Sequence, residues 1–166
     1  MTETPKEYSG FGVRLIAWLI DGLLLGVAMG IVMTPLLIGL IGGLMAAASR
    51  SMTERGDVDE AEAMAMVLAA TGGIFLIVVL VSVVQVLYLV LFIGLKGQTP
   101  GKMFMGIKVV DEQGGVPGIG RAIMREVIGK FLSGLLFDLG FLWAAWDPQR
   151  QTWHDKIATT WVVSAK

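Results

Sequence analysis

Residues Gly72 to Leu95 read GGIFLIVVLVSVVQVLYLVLFIGL, with no charge anywhere in the run. As a helix rising 1.5 Å per residue this stretch reaches about 36 Å, enough to cross a hydrocarbon core of about 30 Å. Its valines would suit a strand. A lipid-exposed strand, however, must sit in a closed barrel to satisfy its backbone, and two or three such segments cannot close one. The run therefore predicts a membrane helix, and the rest of the chain has to be compatible with that solvent. The composition is: 55% of residues are hydrophobic, 16% are charged and mean hydropathy is +0.73, where a soluble chain carries about 25% charge. At 166 residues the chain is of single-domain size, and a free cytosolic enzyme, a disordered tail or a nucleic-acid binder fits poorly. The net charge of −1 and pI near 5.8 give no general attraction to polyanions. There is no cysteine, and His154 is the sole histidine. A disulfide framework and a Cys or His-cluster metal site are thereby excluded, and no cofactor is expected.

A first membrane helix is predicted over residues 13–33, apolar apart from Arg14 and Asp21. The apolar character runs on through Leu36 to Ala48, too far for one upright span, so a kink or break is expected near Thr34-Pro35. Ala46-Ala47-Ala48 resembles a small-residue cleavage site. A signal peptide's apolar region is only about 7–15 residues, so an uncleaved helix is the better reading. The second helix is predicted over residues 72–95, and a third helical region over residues 119–147. On a helical wheel Arg121, Arg125, Glu126, Lys130 and Ser133 gather on one half and Ile123, Val127 and Phe131 on the other. That is an amphipathic helix suited to an interface. Asp138 falls on its apolar side, which predicts a break near Ser133-Gly134 and a short apolar piece after it.

The two polar connections differ in sign. Residues 50–62 hold Arg50 and Arg55 against five acids, a solvated patch rather than a calcium loop. Residues 96–130 hold six lysines and arginines. The positive-inside rule then places the acidic loop outside, and the basic connection and the N-terminus in the cytoplasm. Within the basic connection, residues 104–110 read as a strand and Asp111–Gly115 as the turn ending it. The only other β-like run outside the helices is 157–163. The two are expected to pair, which makes the C-terminus cytoplasmic too. Gly97–Lys102 lacks the phosphate-loop spacing and reads as a tight turn.

Charges inside a span are costly, at least about 2.5–3.5 kcal/mol at a helix centre. Arg14 and Asp21 are seven residues apart and share one helix face. They tie the helix to others through buried ion pairs, line an ion or proton path, or orient the helix at the interface. Gln85 and Asp138 are further buried polar candidates. Gly22, Gly26 and Gly30 recur every fourth residue, a spacing that permits close helix approach within the protomer or between protomers. Trp143, Trp146 and Trp153 suit an interfacial belt.

These features resemble the RDD family of small, mainly bacterial membrane proteins, named for one arginine and two aspartates. The resemblance rests on GFGVRLIAWLIDGLLLG (residues 10–26), GQTPGKMFMGIKVVDEQGG (97–115), IGRAIMREVIGKFL (119–132) and TWHDKIATTWVV (152–163). It assigns the arginine to Arg14 and the aspartates to Asp21 and Asp155, and leaves residues 34–71 unmatched. The expected architecture is an all-α integral membrane protein in a single domain, 1–166. It has two full transmembrane helices, an amphipathic or re-entrant C-terminal helical region and a small cytoplasmic two-stranded β element. The resemblance implies a bacterial inner-membrane location and no enzymatic site, and some relatives have been proposed to exchange cations for protons. Two function classes stand open: a small-cation/proton transporter acting as a homo-oligomer, and a non-transporting assembly or stability partner of another membrane protein. Ion-path or buried ion-pair candidates are Arg14, Asp21, Gln85, Arg125, Asp138 and Asp155.

Overall fold

Two helices, α1 (Phe11–Arg55) and α2 (Glu60–Lys96), are long and apolar enough to cross a membrane. The computed structural model describes residues 7–135 and 139–165, so Asp138 lies outside the described residues. Both helices outrun the predicted spans, reaching about 68 and 56 Å at 1.5 Å per residue. The break expected at Thr34-Pro35 does not occur, and α1 carries Pro35 inside it. The physical reason is the solvent. Proline removes one backbone hydrogen bond, but leaving the helix inside an apolar stretch would strand many more polar groups.

The chain groups into two compact units, Leu25–Val84 and the combination of Met1–Leu24 with Gln85–Lys166. In the first, the acidic connection shrinks from the predicted 50–62 to the four residues between helices. Gly56 ends α1 at φ +84°, its amide donating back to the Met52 carbonyl at 3.0 Å. This is a left-handed cap that favours glycine. Asp59 starts α2 by accepting from the Glu62 amide at 2.8 Å. Ser51 donates to Glu62 at 2.7 Å, and Arg55 pairs with Glu62 as well. Lower down, Gly73 leaves room for Leu40, whose Cδ2 would be 3.0 Å from an added Cβ.

The second unit carries everything after α2. The predicted turn at 97–102 is partly a helix, α3 (Pro100–Phe104), with Thr99 at its N-cap and Pro100 in the first turn, where its missing N–H costs nothing. Phe104 therefore belongs to a helix, and the strand β1 is shorter than expected, Ile107–Val110. Its antiparallel partner is β2 (Trp161–Ser164), in the register Ile107↔Ser164 to Val110↔Trp161. Residues 153–157, preceding β2, are a helix, α7 (Trp153–Ile157), because Thr152 and Asp155 form a capping box there. Tyr8 bridges to Val163 on the far side of β2. Gly97 closes off α2 at φ +67° and accepts from the Val109 amide at 2.7 Å. The core is small: Ala17, Val90, Ile93, Ile107, Val109, Ala122 and Val162.

The third helical region is broken, as expected, but later than Ser133-Gly134. It runs α4 (Gly118–Ile123), a π-helical turn (Met124–Gly129) and α5 (Lys130–Leu135), then α6 (Leu139–Leu142) and a 3-10 turn (Trp143–Ala145). An added Cβ at Gly140 would fall 2.6 Å from Ser133 Cα, so α6 folds back directly on α5.

A charged clamp at the head of the first helix

Asp21 and Arg14 lie on one helix face by their spacing, and in the structure each has its own set of partners. Asp21, buried at 4% exposure, accepts at Oδ1 from the Gly101 amide at 2.7 Å and at Oδ2 from the Thr99 hydroxyl. A carboxylate on α1 thus satisfies two donors at the start of α3, where four amides lack intrahelical partners. Thr99 has no side-chain cap bond of its own to offer α3. The approach is tight enough to require glycine at 101: an added Cβ would lie 2.2 Å from the Ala17 carbonyl oxygen. The GQTPGK sequence is therefore a socket for Asp21.

Arg14 turns the other way. Its Nη1 pairs with Asp155 Oδ2 at 2.7 Å and its Nε donates to the Ser9 carbonyl at 3.1 Å. Asp155 is fully buried and pairs through Oδ1 with Arg125 Nη1 at 2.6 Å. Asp155 Oδ2 also accepts from the Thr152 amide at 3.1 Å. One carboxylate thus holds α1, the π-helical turn and α7 together. Arg125 also reaches Glu126 at 3.0 Å and donates to Thr160 at 3.3 Å, and Lys130 pairs with Glu126. The π turn presents Arg125, Glu126 and Gly129 together on its buried side. Gly129 admits α7, since an added Cβ would stand 2.8 Å from His154 Cα.

Burial works to raise the Asp155 pKa, but Arg125 and Arg14 outweigh it with help from the Thr152 amide, and the carboxyl is held well below its usual range. Burial dominates at His154, which is pushed down to about 3 although Asp155 pulls it upward. The imidazole is therefore neutral near pH 7, with Nδ1 3.4 Å from Ser133 Oγ.

A cavity of about 340 Å³ opens beside this network, lined by Phe11, Arg14, Leu15, Trp18, Lys102, Arg125, Glu126, Lys130, Phe141, Thr152, His154 and Val162. Sequence reasoning named Arg14, Arg125 and Asp155 but missed Glu126, Lys130 and Lys102 as members of the cluster. Their signal was present in the polar half of the helical wheel. Arg121 is elsewhere, paired with Asp111 at 3.2 Å. Gln85 lies exposed on α2 and outside this cluster. The Gly22, Gly26 and Gly30 ridge is exposed, and an added Cβ at any of the three meets nothing within 4 Å. Close packing of that ridge inside the protomer is thus absent among the described residues.

A membrane protein whose first helix is clamped by an arginine and an aspartate to two later motifs is the class these features define. Residues 8–159 match the RDD family, and the chain belongs to it. It is 34% identical to the uncharacterised protein YxaI of Bacillus subtilis (strain 168), over 95% of this chain and 98% of that one. It is 28% identical to the uncharacterised membrane protein YteJ of the same organism, over 96% of this chain and 82% of that one. A proline-rich antigen of Mycobacterium leprae (strain TN) is 40% identical over 40% of this chain, which spans only 27% of that larger protein. No solved structure matches.

Proposed function

We propose that this chain is a non-catalytic, non-transporting module of the bacterial inner membrane, with both termini cytoplasmic, that assembles with or stabilises another membrane protein. The observation that carries this reading is the use made of the two charges in the first helix. Asp21 is engaged by Thr99 and Gly101, and Arg14 by Asp155, so both act as ties within the fold. The face bearing Gly22, Gly26 and Gly30 is left open to a neighbour. The test is photo-crosslinking in cells from a probe at position 30, with position 87 on α2 as comparison. A discrete partner band that Gly26→Leu abolishes, while the extracted protein keeps its thermal stability, supports the module. Uniform labelling of lipid alone from both positions refutes it.

A second reading, a homo-oligomeric small-cation/proton exchanger, is favoured by Glu126, a buried carboxylate on the cavity wall, held there by Lys130 and Arg125, at which a small cation or a proton can be taken up. Reconstituted vesicles decide between the two. Proton-coupled Na⁺, K⁺ or Li⁺ flux that Glu126→Gln stops and Asp21→Asn leaves intact would replace the first reading by the second. Absence of flux in wild-type vesicles removes the exchanger.

A further inference from the structure

The cavity beside the clamp carries an excess of positive charge that neither reading uses. Its walls carry four cationic side chains, Arg14, Lys102, Arg125 and Lys130, against one carboxylate, Glu126. Asp155 stands behind Arg14 and Arg125 as their partner. Two positive charges remain in excess, and His154 adds none at neutral pH because burial keeps it unprotonated. Arg14 Nη2 is buried with no hydrogen-bond partner among the described residues. A buried guanidinium donor without an acceptor is costly, and the deficit marks a place where an acceptor is wanted. Lys102 is pushed down to about 8, first by desolvation and then by Arg125 and Lys130. Crowded, partly desolvated cations repel one another, and an anion among them relieves that repulsion.

The remaining walls are apolar. Leu15 and Trp18 lie on the membrane helix α1, and both are exposed, Trp18 by 61%. A soluble anion has no use for such a wall. A molecule with a charged head and an apolar tail uses both, and basic pockets at the membrane boundary are the places where acidic lipid headgroups bind. The cavity volume, about 340 Å³, is at the lower end of ligand pockets. That is enough for a headgroup and the start of its chains.

We propose that this cavity binds the headgroup of an anionic phospholipid, its phosphate among Arg14, Lys102 and Lys130 and its acyl chains leaving along Leu15 and Trp18. The site then couples lipid composition to the clamp, because Arg14 faces both the lipid and Asp155.

The test uses the full chain, delipidated in neutral detergent and titrated with phosphatidylglycerol, phosphatidylcholine or inorganic phosphate. Bound lipid is counted by native mass spectrometry and stability is followed by thermal unfolding. Phosphatidylglycerol should be retained in preference to phosphatidylcholine and should raise the unfolding temperature. Lys102→Gln should weaken phosphatidylglycerol binding about five- to tenfold. This substitution leaves the ion pairs in place, since among the described residues Lys102 joins no ion pair and makes only a long 3.4 Å bond to Thr99 Oγ1. Lys108→Gln, on β1 and away from the cavity, should leave binding unchanged. Equal retention of the two lipids by the wild type overturns the proposal without recourse to any variant, as does unaltered binding by Lys102→Gln. Stabilisation by inorganic phosphate equal to that by phosphatidylglycerol would assign the site to a soluble phosphate compound and overturn the lipid.

Discussion

Asp21 is the deepest charge on α1, and its two bonds predict how it tolerates change. Asparagine can still accept from the Gly101 amide, and its amide nitrogen can donate to Thr99, whose hydroxyl rotates to accept. Alanine leaves both donors buried without a partner, at about 1–3 kcal/mol each. Asp21→Asn should therefore cost little in thermal unfolding of the extracted protein and Asp21→Ala much more. Equal damage from both would mean that the negative charge itself is needed. Asp155 behaves differently, because its charge is what Arg14 and Arg125 bind. Arg14→Ala should cost about 3–5 kcal/mol, the range for removing one partner from a buried pair. The pH dependence separates a third residue. His154 has its pKa pushed down to about 3 in the fold against 6.5 outside it. The unfolded chain then takes up a proton that the fold refuses. The stability this contributes is complete above pH 6.5 and is lost as pH falls toward 3. Asp155, with its lowered pKa, contributes stability that is lost only below about 3.8, so the two windows are largely distinct. Melting temperatures should fall between pH 6.5 and 4 in the wild type and stay nearly flat over that range in His154→Gln.

The elements meet at glycines, and one of them fixes how α7 docks. Gly129→Ala would press a methyl into His154 and push α7 off the π-helical turn, drawing Asp155 away from Arg125. Overpacking of this kind costs about 1–3 kcal/mol. Gly120→Ala, where an added Cβ meets nothing within 4 Å, should be neutral or slightly stabilising in its helix. Thermal unfolding of the two variants side by side checks the contrast, and similar melting temperatures would place the strain elsewhere. The same elements show how far the sequence could be read. The membrane helices were legible because an uncharged run leaves a chain one option in lipid, and the β1–β2 pair because the sequence offers no third β-like run outside the helices, although Tyr8 also bridges to β2. The short helices α3 and α7 were not, since each rests on one turn and a cap that periodicity does not register. The pairing of Arg14 with Asp155 joins positions 141 residues apart. No local pattern reports such a contact, and the seven-residue spacing of Arg14 and Asp21 gives only a shared helix face.

At the scale of the whole molecule, strand pairing constrains topology more firmly than charge does. Ile107 faces Ser164 across the β1–β2 ladder, so the end of the chain lies on the same side of the membrane as the connection after α2. Residues between the strands must leave that side not at all, or leave it and return. The bend between α5 and α6, with Gly140 against Ser133, is how a short apolar stretch can do so without a full crossing. The acidic turn at 56–59 precedes α2 and β1 follows it, and α2 is long and apolar enough for a single passage. Charge then chooses which side is which, with the lysines and arginines of residues 96–130 favouring the cytoplasm. The chain has no cysteine, so single cysteines report position cleanly. In intact cells an impermeant thiol reagent should label Asp57→Cys, and should reach Gln113→Cys and Ser164→Cys only after the membrane is opened. Labelling of all three in the reverse sense would leave the fold intact and invert its orientation. Labelling of position 164 from outside while position 113 stays protected would separate β1 from β2 by a bilayer, which their hydrogen-bonded register forbids.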